Sequence, residues 1–190
     1  MEAQNLAGAK ENSKAEGRTI VFIDESGLSE KCPVTRAPWR HAARGRSFSR
    51  ASPGSRCRPI AGLSWWHFYF RFFEGAIKSE QVIEFLSSLY KQIGRKLLVI
   101  LDGAEIYRSR KVRAWLEQKK GRIALAYLPP YAPELNPVEA IWAYLKKNEI
   151  ADPCVSGIAR VCDYTRRRLK SMQRRPKLIT AFWKQADLAL

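Results

Sequence analysis

The sequence predicts an α/β domain whose sheet is at least partly parallel and flanked by helices. Two aliphatic runs, TIVFIDE (19–25) and KLLVILDG (96–103), each read as a buried strand ended abruptly by an acid, Asp24 or Asp102. Stretches with apolar residues at helical spacing alternate with such runs. That alternation implies right-handed crossovers, which bring the two aspartate-tipped strands side by side.

Taken in order, residues 1–18 form a polar leader, MEAQNLAGAKENSKAEGR, without the apolar core of a signal peptide. The first strand follows. WWHFYFRFFEGAIKSE reads as an aromatic strand, and SEQVIEFLSSLYKQI as a helix burying Val82, Phe85, Leu86, Leu89 and Ile93 behind a Ser79 cap. After Asp102, Ser109 caps a helix that turns Val112, Trp115 and Leu116 inward, Gly121 ends it, and RIALAYL supplies a further strand. From Asn136, the positions Val138, Ile141, Trp142 and Leu145 mark another helix. A later helix carries Ile158, Val161, Cys162, Thr165, Leu169 and Met172, and LITAFWKQADLAL adds a short packing helix.

The net charge is +16, and two blocks carry fifteen of it: residues 31–59, with eight Lys/Arg and no acid, and residues 160–177, with eight against one Asp. The remainder is nearly neutral, whereas the blocks suit a polyanion such as a nucleic-acid backbone, or else form a solvated basic face. The block at 31–59 lacks apolar periodicity although it separates two strand-like runs. It reads as a disordered basic loop, a DNA-contacting arm, or sequence translated out of frame between two compensating frameshifts. Cys32, Cys57, Cys154 and Cys162 form no CxxC pair and stand at no zinc spacing with His41 or His67, so the spacing supports neither a zinc site nor a disulfide framework. A reducing, cytoplasmic setting fits, and the longest aliphatic run, LLVIL, is too short to cross a bilayer.

Three carboxylates then stand out: Asp24 and Asp102 from adjacent strand ends, and Glu139 from the first turn of a helix that can pack across them. Each alone has an ordinary explanation. Asp24 can terminate a strand, Asp102–Gly103 is a turn signal, and Asn136, Pro137 and Glu139 compose a start resembling a capping box. Gathered together, they repel one another unless protonated or bridged by cations. Mg²⁺ is the natural bridge, because it prefers oxygen ligands and leaves positions for water and phosphate.

The motifs FIDESG, LLVILDGAEIYRS and LPPYAPELNPVEAIWAYLK resemble those of DDE transposase catalytic domains, specifically mariner-type enzymes and their bacterial insertion-sequence relatives. The third is long and unusual, and the 36 residues between Asp102 and Glu139 agree with the family pattern. The resemblance runs from about Thr19 to the C-terminus, with a gap at 31–59. It implies an RNase H-like mixed sheet flanked by helices, with Asp24, Asp102 and Glu139 as a metal-binding catalytic triad using Mg²⁺, or Mn²⁺ as a substitute. It further implies cleavage of double-stranded DNA at transposon ends and strand transfer into target DNA, typically at TA. The rivals are an RNase H-like nuclease without strand transfer and a non-catalytic DNA-binding remnant.

The resulting organisation is a leader (1–18), a catalytic domain (19–150) interrupted by the basic segment, and a basic helical extension (151–190). Lys146, Lys147, Arg166, Arg167 and Arg168 are the candidate DNA-backbone contacts, with a solvated surface as their plain alternative. The second motif departs from the family's Asp-Asn-Ala-Pro-x-His by reading Asp102, Gly103, Ala104, Glu105, Ile106, Tyr107. Only a short leader precedes Asp24, so end recognition calls for self-association or an upstream helix-turn-helix polypeptide.

Overall fold

The computed structural model describes residues 6–28, 57–130, 132–150 and 158–185. Five strands form one sheet in the order β3-β2-β1-β4-β5, with β1 Thr19–Glu25, β2 Cys57–Leu63, β3 Phe68–Glu74, β4 Leu97–Leu101 and β5 Ile123–Tyr127. β1 pairs parallel with β4 and β4 with β5, whereas β2 runs antiparallel to both β1 and β3. The predicted partly parallel sheet is therefore present, and the two aspartate-tipped strands are direct neighbours.

The sheet divides the core by the two-residue period of its strands. Phe22, Ala61, Leu63, Leu98, Ile100 and Ala126 point to one face. There they meet Val138, Ile141 and Trp142 of α4 (Pro137–Tyr144), Leu169 and Met172 of α5 (Ile158–Gln173), and Ile179, Phe182 and Trp183 of α6 (Pro176–Gln185). Val21, Ile23, Ile60, Leu97, Val99 and Leu101 point to the other, under α2 (Ser79–Ile93) and α3 (Arg110–Gln118). Gly62 lets α2 sit close on β2, since a Cβ there would lie 3.3 Å from Val21 Cγ1 and 3.5 Å from the Phe85 ring. The C-terminal helices thus belong to the same core as the sheet, with the Trp183 ring edge-on to Phe22 at 5.5 Å.

Several local expectations change. Residues 6–15 of the polar leader form helix α1 (Leu6–Ala15). α2 starts one residue earlier than a Ser79 cap would place it. Lys78 holds the N-cap position and its backbone N–H donates to Gln81 Oε1 at 3.0 Å, while Ser79 Oγ bonds Ser109 Oγ at 2.8 Å. Ser109 caps α3 as expected, accepting from Val112 N at 3.4 Å.

β2 is the larger surprise, because CRPIAGL carries Arg, Pro and Gly and begins inside the basic block. It is a strand because β1 and β3 flank it on both sides, so tertiary pairing outweighs a weak local preference. The rest of the basic block, residues 31–56, lies outside the described residues, and so do its three readings. Cys57 on β2 and Cys162 on α5 form a disulfide with Cα atoms 6.2 Å apart, whereas the spacing of the cysteines supported no disulfide framework. Spacing could not reveal it, since the partners are 105 residues apart and only the fold lays α5 over β2. No helix among the described residues is long and apolar enough to cross a membrane.

Candidate metal centre at the strand ends

Asp24 occupies the C-terminal end of β1 on the face that carries Phe22, and Asp102 follows the last residue of β4 in the alternation set by Leu98 and Ile100. Parallel pairing of Phe22 with Ile100 brings the two acids to neighbouring ends of the sheet. α4 packs across that face and starts there. Asn136 fixes the start twice: its Oδ1 accepts from Val138 N at 3.2 Å, and its Nδ2 donates to the Ile23 carbonyl at 3.3 Å. Pro137 takes the first helical position, where a missing N–H costs nothing. Glu139 consequently emerges beside the end of β1.

The predicted capping box does not close. Asn136 caps Val138 N, and the exposed Glu139 side chain has no hydrogen-bond partner among the described residues, so helix initiation leaves its carboxylate free. Asp102 is exposed as well, with Oδ1 accepting from Ala104 N at 3.3 Å in a tight turn. Asp24 is the buried member, 9% exposed, and Trp142 Nε1 donates to its Oδ2 at 3.0 Å. Burial above all, then the Glu139 carboxylate and, less strongly, Asp102, push the Asp24 carboxyl up to about 8, against the opposing pull of the Glu25 amide and the Trp142 indole. Trp142 is three residues after Glu139 on α4, so one helix supplies both the repelling carboxylate and the orienting donor.

This donor set suits a hard divalent cation: three carboxylates, two of them solvent-accessible, with one Asp24 oxygen held by the Trp142 indole. Among the described residues no three acidic, histidine or cysteine side chains stand together as a group that could hold a metal ion. Glu139 and Asp102 lie close enough to Asp24 for their charges to repel its ionised form.

A second polar group lies behind the acids, on the α2/α3 face. Glu25 Oε2, Arg58 Nε and the hydroxyl of buried Tyr107 are all enclosed without a hydrogen-bond partner. Burial raises the Glu25 carboxyl, with Arg58 lowering it and Asp102 adding to the rise. Burial also drives the Tyr107 hydroxyl well up, with Glu25, Asp102 and Asp24 contributing. Where the resembled motif has histidine near its end, this chain has Tyr107 under the Asp102 turn, its carbonyl accepting from Tyr127 Oη at 3.5 Å.

The cationic candidates are dispersed. Lys146 and Lys147 are exposed on a π-helical turn, Leu145–Glu149, that continues α4. Arg166, Arg167 and Arg168 lie on α5, which crosses β2 and β3. Arg166 pairs with Asp163 at 3.0 Å and lies over the Phe72 ring at 5.0 Å, whereas Arg167 Nε donates to the Asp163 carbonyl at 3.4 Å. Arg168 is turned toward Tyr164 Oη (2.8 Å) and Glu149 (3.6 Å).

The sequence reading missed Trp142 and Asn136 as supports of the acids, having assigned them only to core and cap. A signal was present for Trp142, because an indole N–H on a fully buried stripe needs an acceptor, and Asp24 at the end of β1 is a buried one.

Comparison with known proteins agrees with this architecture. A family model described as DDE superfamily endonuclease matches residues 19–154. Protein y4pE/y4sA of Sinorhizobium fredii (strain NBRC 101917 / NGR234) is 30% identical over 76 residues, 39% of this chain and 53% of that protein. Among solved structures, the catalytic domain of Mos1 mariner transposase aligns with a TM-score of 0.61 at 14% identity, covering 93% of this chain and 80% of that one. The Mos1 transposase paired-end complex with left transposon end aligns at 0.65 and 14% identity, covering 93% and 55%. At such identity these structures establish the fold, which is the RNase H-like mixed sheet. The chain spans about half the length of the curated relative and of the transposase in that complex. With the matched family model covering most of its length, this chain belongs to the DDE superfamily of endonucleases.

Proposed function

We propose that this chain is the catalytic part of a transposase that cleaves double-stranded DNA at transposon ends and transfers the freed 3′ end into target DNA, with Mg²⁺, or Mn²⁺ in its place, held by Asp24, Asp102 and Glu139. The observation that carries the reading is the convergence of three carboxylates at one end of the sheet, where two of them destabilise the charge on the buried third. Divalent cations bound there supply Lewis-acid activation of the attacking oxygen and neutralise charge on the leaving oxygen.

The chain's own contribution is placement. Asn136 sets where α4 begins, Trp142 fixes the orientation of the Asp24 carboxyl, and the Ala104 amide holds one oxygen of Asp102. Lys146, Lys147, Arg166 and Arg167 then face the DNA backbone, which positions the duplex without reading its sequence. Self-association or an upstream helix-turn-helix polypeptide supplies recognition of the ends in this reading.

The purified chain is incubated with Mg²⁺, a labelled duplex carrying the ends that flank its own gene, and a plasmid rich in TA steps. Nicked ends joined to the plasmid are the expected products. Nicking without joining would instead assign a hydrolytic nuclease, and intact DNA that is bound but uncut would assign a non-catalytic remnant.

A further inference from the structure

The buried stripe of α4, Val138, Ile141, Trp142 and Leu145, continues one turn further to an acid, Glu149. Its side chain is only 8% exposed. Two arginines meet it, Arg168 from α5 and Arg175 from the turn into α6: Arg175 Nη1 lies 3.0 Å from Oε1, and Arg168 Nη1 lies 3.6 Å from Oε2. Each arginine is braced in turn, Arg175 by Ser171 Oγ at 2.8 Å and Arg168 by Tyr164 Oη at 2.8 Å. The backbone there is a π-helical turn, closed by Ile150 N donating to the Leu145 carbonyl at 3.0 Å. Such turns recur where a helix is adjusted for function. Nearby, the Tyr144 ring sits edge-on to Phe182 of α6 at 5.5 Å.

α4 is thus gripped at both ends. Asn136 and Trp142 tie its start to β1, while Glu149 ties its continuation to α5 and the turn into α6. We infer that Glu149 is a positioning residue: clamped by Arg168 and Arg175, it holds the far end of the Glu139 helix so that the Glu139 carboxylate stays beside Asp24. Arg168 and Arg175 are then engaged by Glu149 at the surface and leave the DNA backbone to other cations. The inference rests on the reading of Glu139 as a metal ligand.

Displacing a reacting group by about 1 Å can lower a rate on the order of 100-fold. Glu149→Gln keeps the shape and removes the charge, so the single-turnover cleavage rate falls about 10-fold or more while the Kd for end DNA stays within about 2-fold; Glu149→Asp recovers part of the rate. Arg168→Ala and Arg175→Ala repeat the pattern, which keeps the test intact if one variant fails to fold. A purely structural role would lower the active fraction and leave the rate of the remaining active molecules unchanged. An Arg168→Ala variant that loses DNA affinity and about one unit of salt slope, as a phosphate contact does, would overturn the inference. So would an unchanged rate in Glu149→Gln.

Hydrogen exchange separates this failure from failure of the transposase reading, because it needs neither DNA nor activity. In Glu149→Gln the amides of α4 lose protection while those of β4 keep theirs, whether or not the wild-type chain cuts DNA. Equal protection of α4 in variant and wild type would overturn the clamp by itself.

Discussion

Asp24→Asn abolishes Mg²⁺-dependent cleavage and, with no metal added, raises the melting temperature of the chain at neutral pH. The two effects have one origin. Asp24 is buried beside Glu139 and Asp102, which places its carboxyl at about 8 rather than near 3.8. An acid whose value rises on folding stabilises the fold through its protonated form. That contribution is fully present below pH 4 and is lost as pH rises toward 8. At pH 7 the penalty relative to a group that never ionises is roughly 4 kcal/mol by linkage. Asparagine keeps an acceptor for the Trp142 indole and carries no charge. Even a quarter of that gain is worth about 2–4 °C for a chain of this size. Thermal melts at pH 5 and pH 8 in chelator check it: the increase is large at pH 8 and small at pH 5, and an Asp24→Asn variant that melts lower at both values would contradict it.

Trp142→Phe separates packing from orientation. Trp142 is 1% exposed, and truncation to alanine would cost about 3–5 kcal/mol through the cavity alone, which obscures any catalytic effect. Phenylalanine retains most of the apolar volume and removes the indole N–H. Asp24 Oδ2 then loses its donor, at a cost of about 1–3 kcal/mol in stability. Partners that orient a metal-binding carboxylate typically carry 10–100-fold in affinity or activity, so the cleavage rate should fall by about that factor. Urea denaturation and single-turnover cleavage on one preparation measure both. A rate equal to wild type despite lost stability would make Trp142 a core residue only.

What the sequence disclosed follows from how local each cause was. β1 and β4 were legible because buried parallel strands are continuous aliphatic runs, and α4 because Asn136–Pro137 marks a helix start chemically. β2 was not legible: CRPIAGL has little strand preference of its own and is held by pairing on both edges, to β3 just after it and to β1 far before it in sequence. The placement of the three acids was legible, since two strand ends and one helix start come to the same end of the sheet if the strands are adjacent. Their supports were hidden, because the bond from Trp142 to Asp24 spans 118 residues and the one from Asn136 to Ile23 spans 113. Glu149 was hidden differently. The sequence reading did not single it out, and its role emerged only from the fold, where Arg168 of α5 and Arg175 of the following turn meet it, although its place one turn beyond Leu145 on the buried stripe was a signal in plain view.

The central claim is that three carboxylates from separate elements act together as one cation site. Isothermal titration of Mn²⁺ into the chain at pH 8 addresses it without DNA, comparing wild type with Asp102→Ala, Glu139→Ala and Glu105→Ala, the last removing a nearby exposed acid outside the three. Binding that is present in wild type and Glu105→Ala and weakened at least 10-fold in the other two is the predicted result. Equal binding in all four would contradict the account.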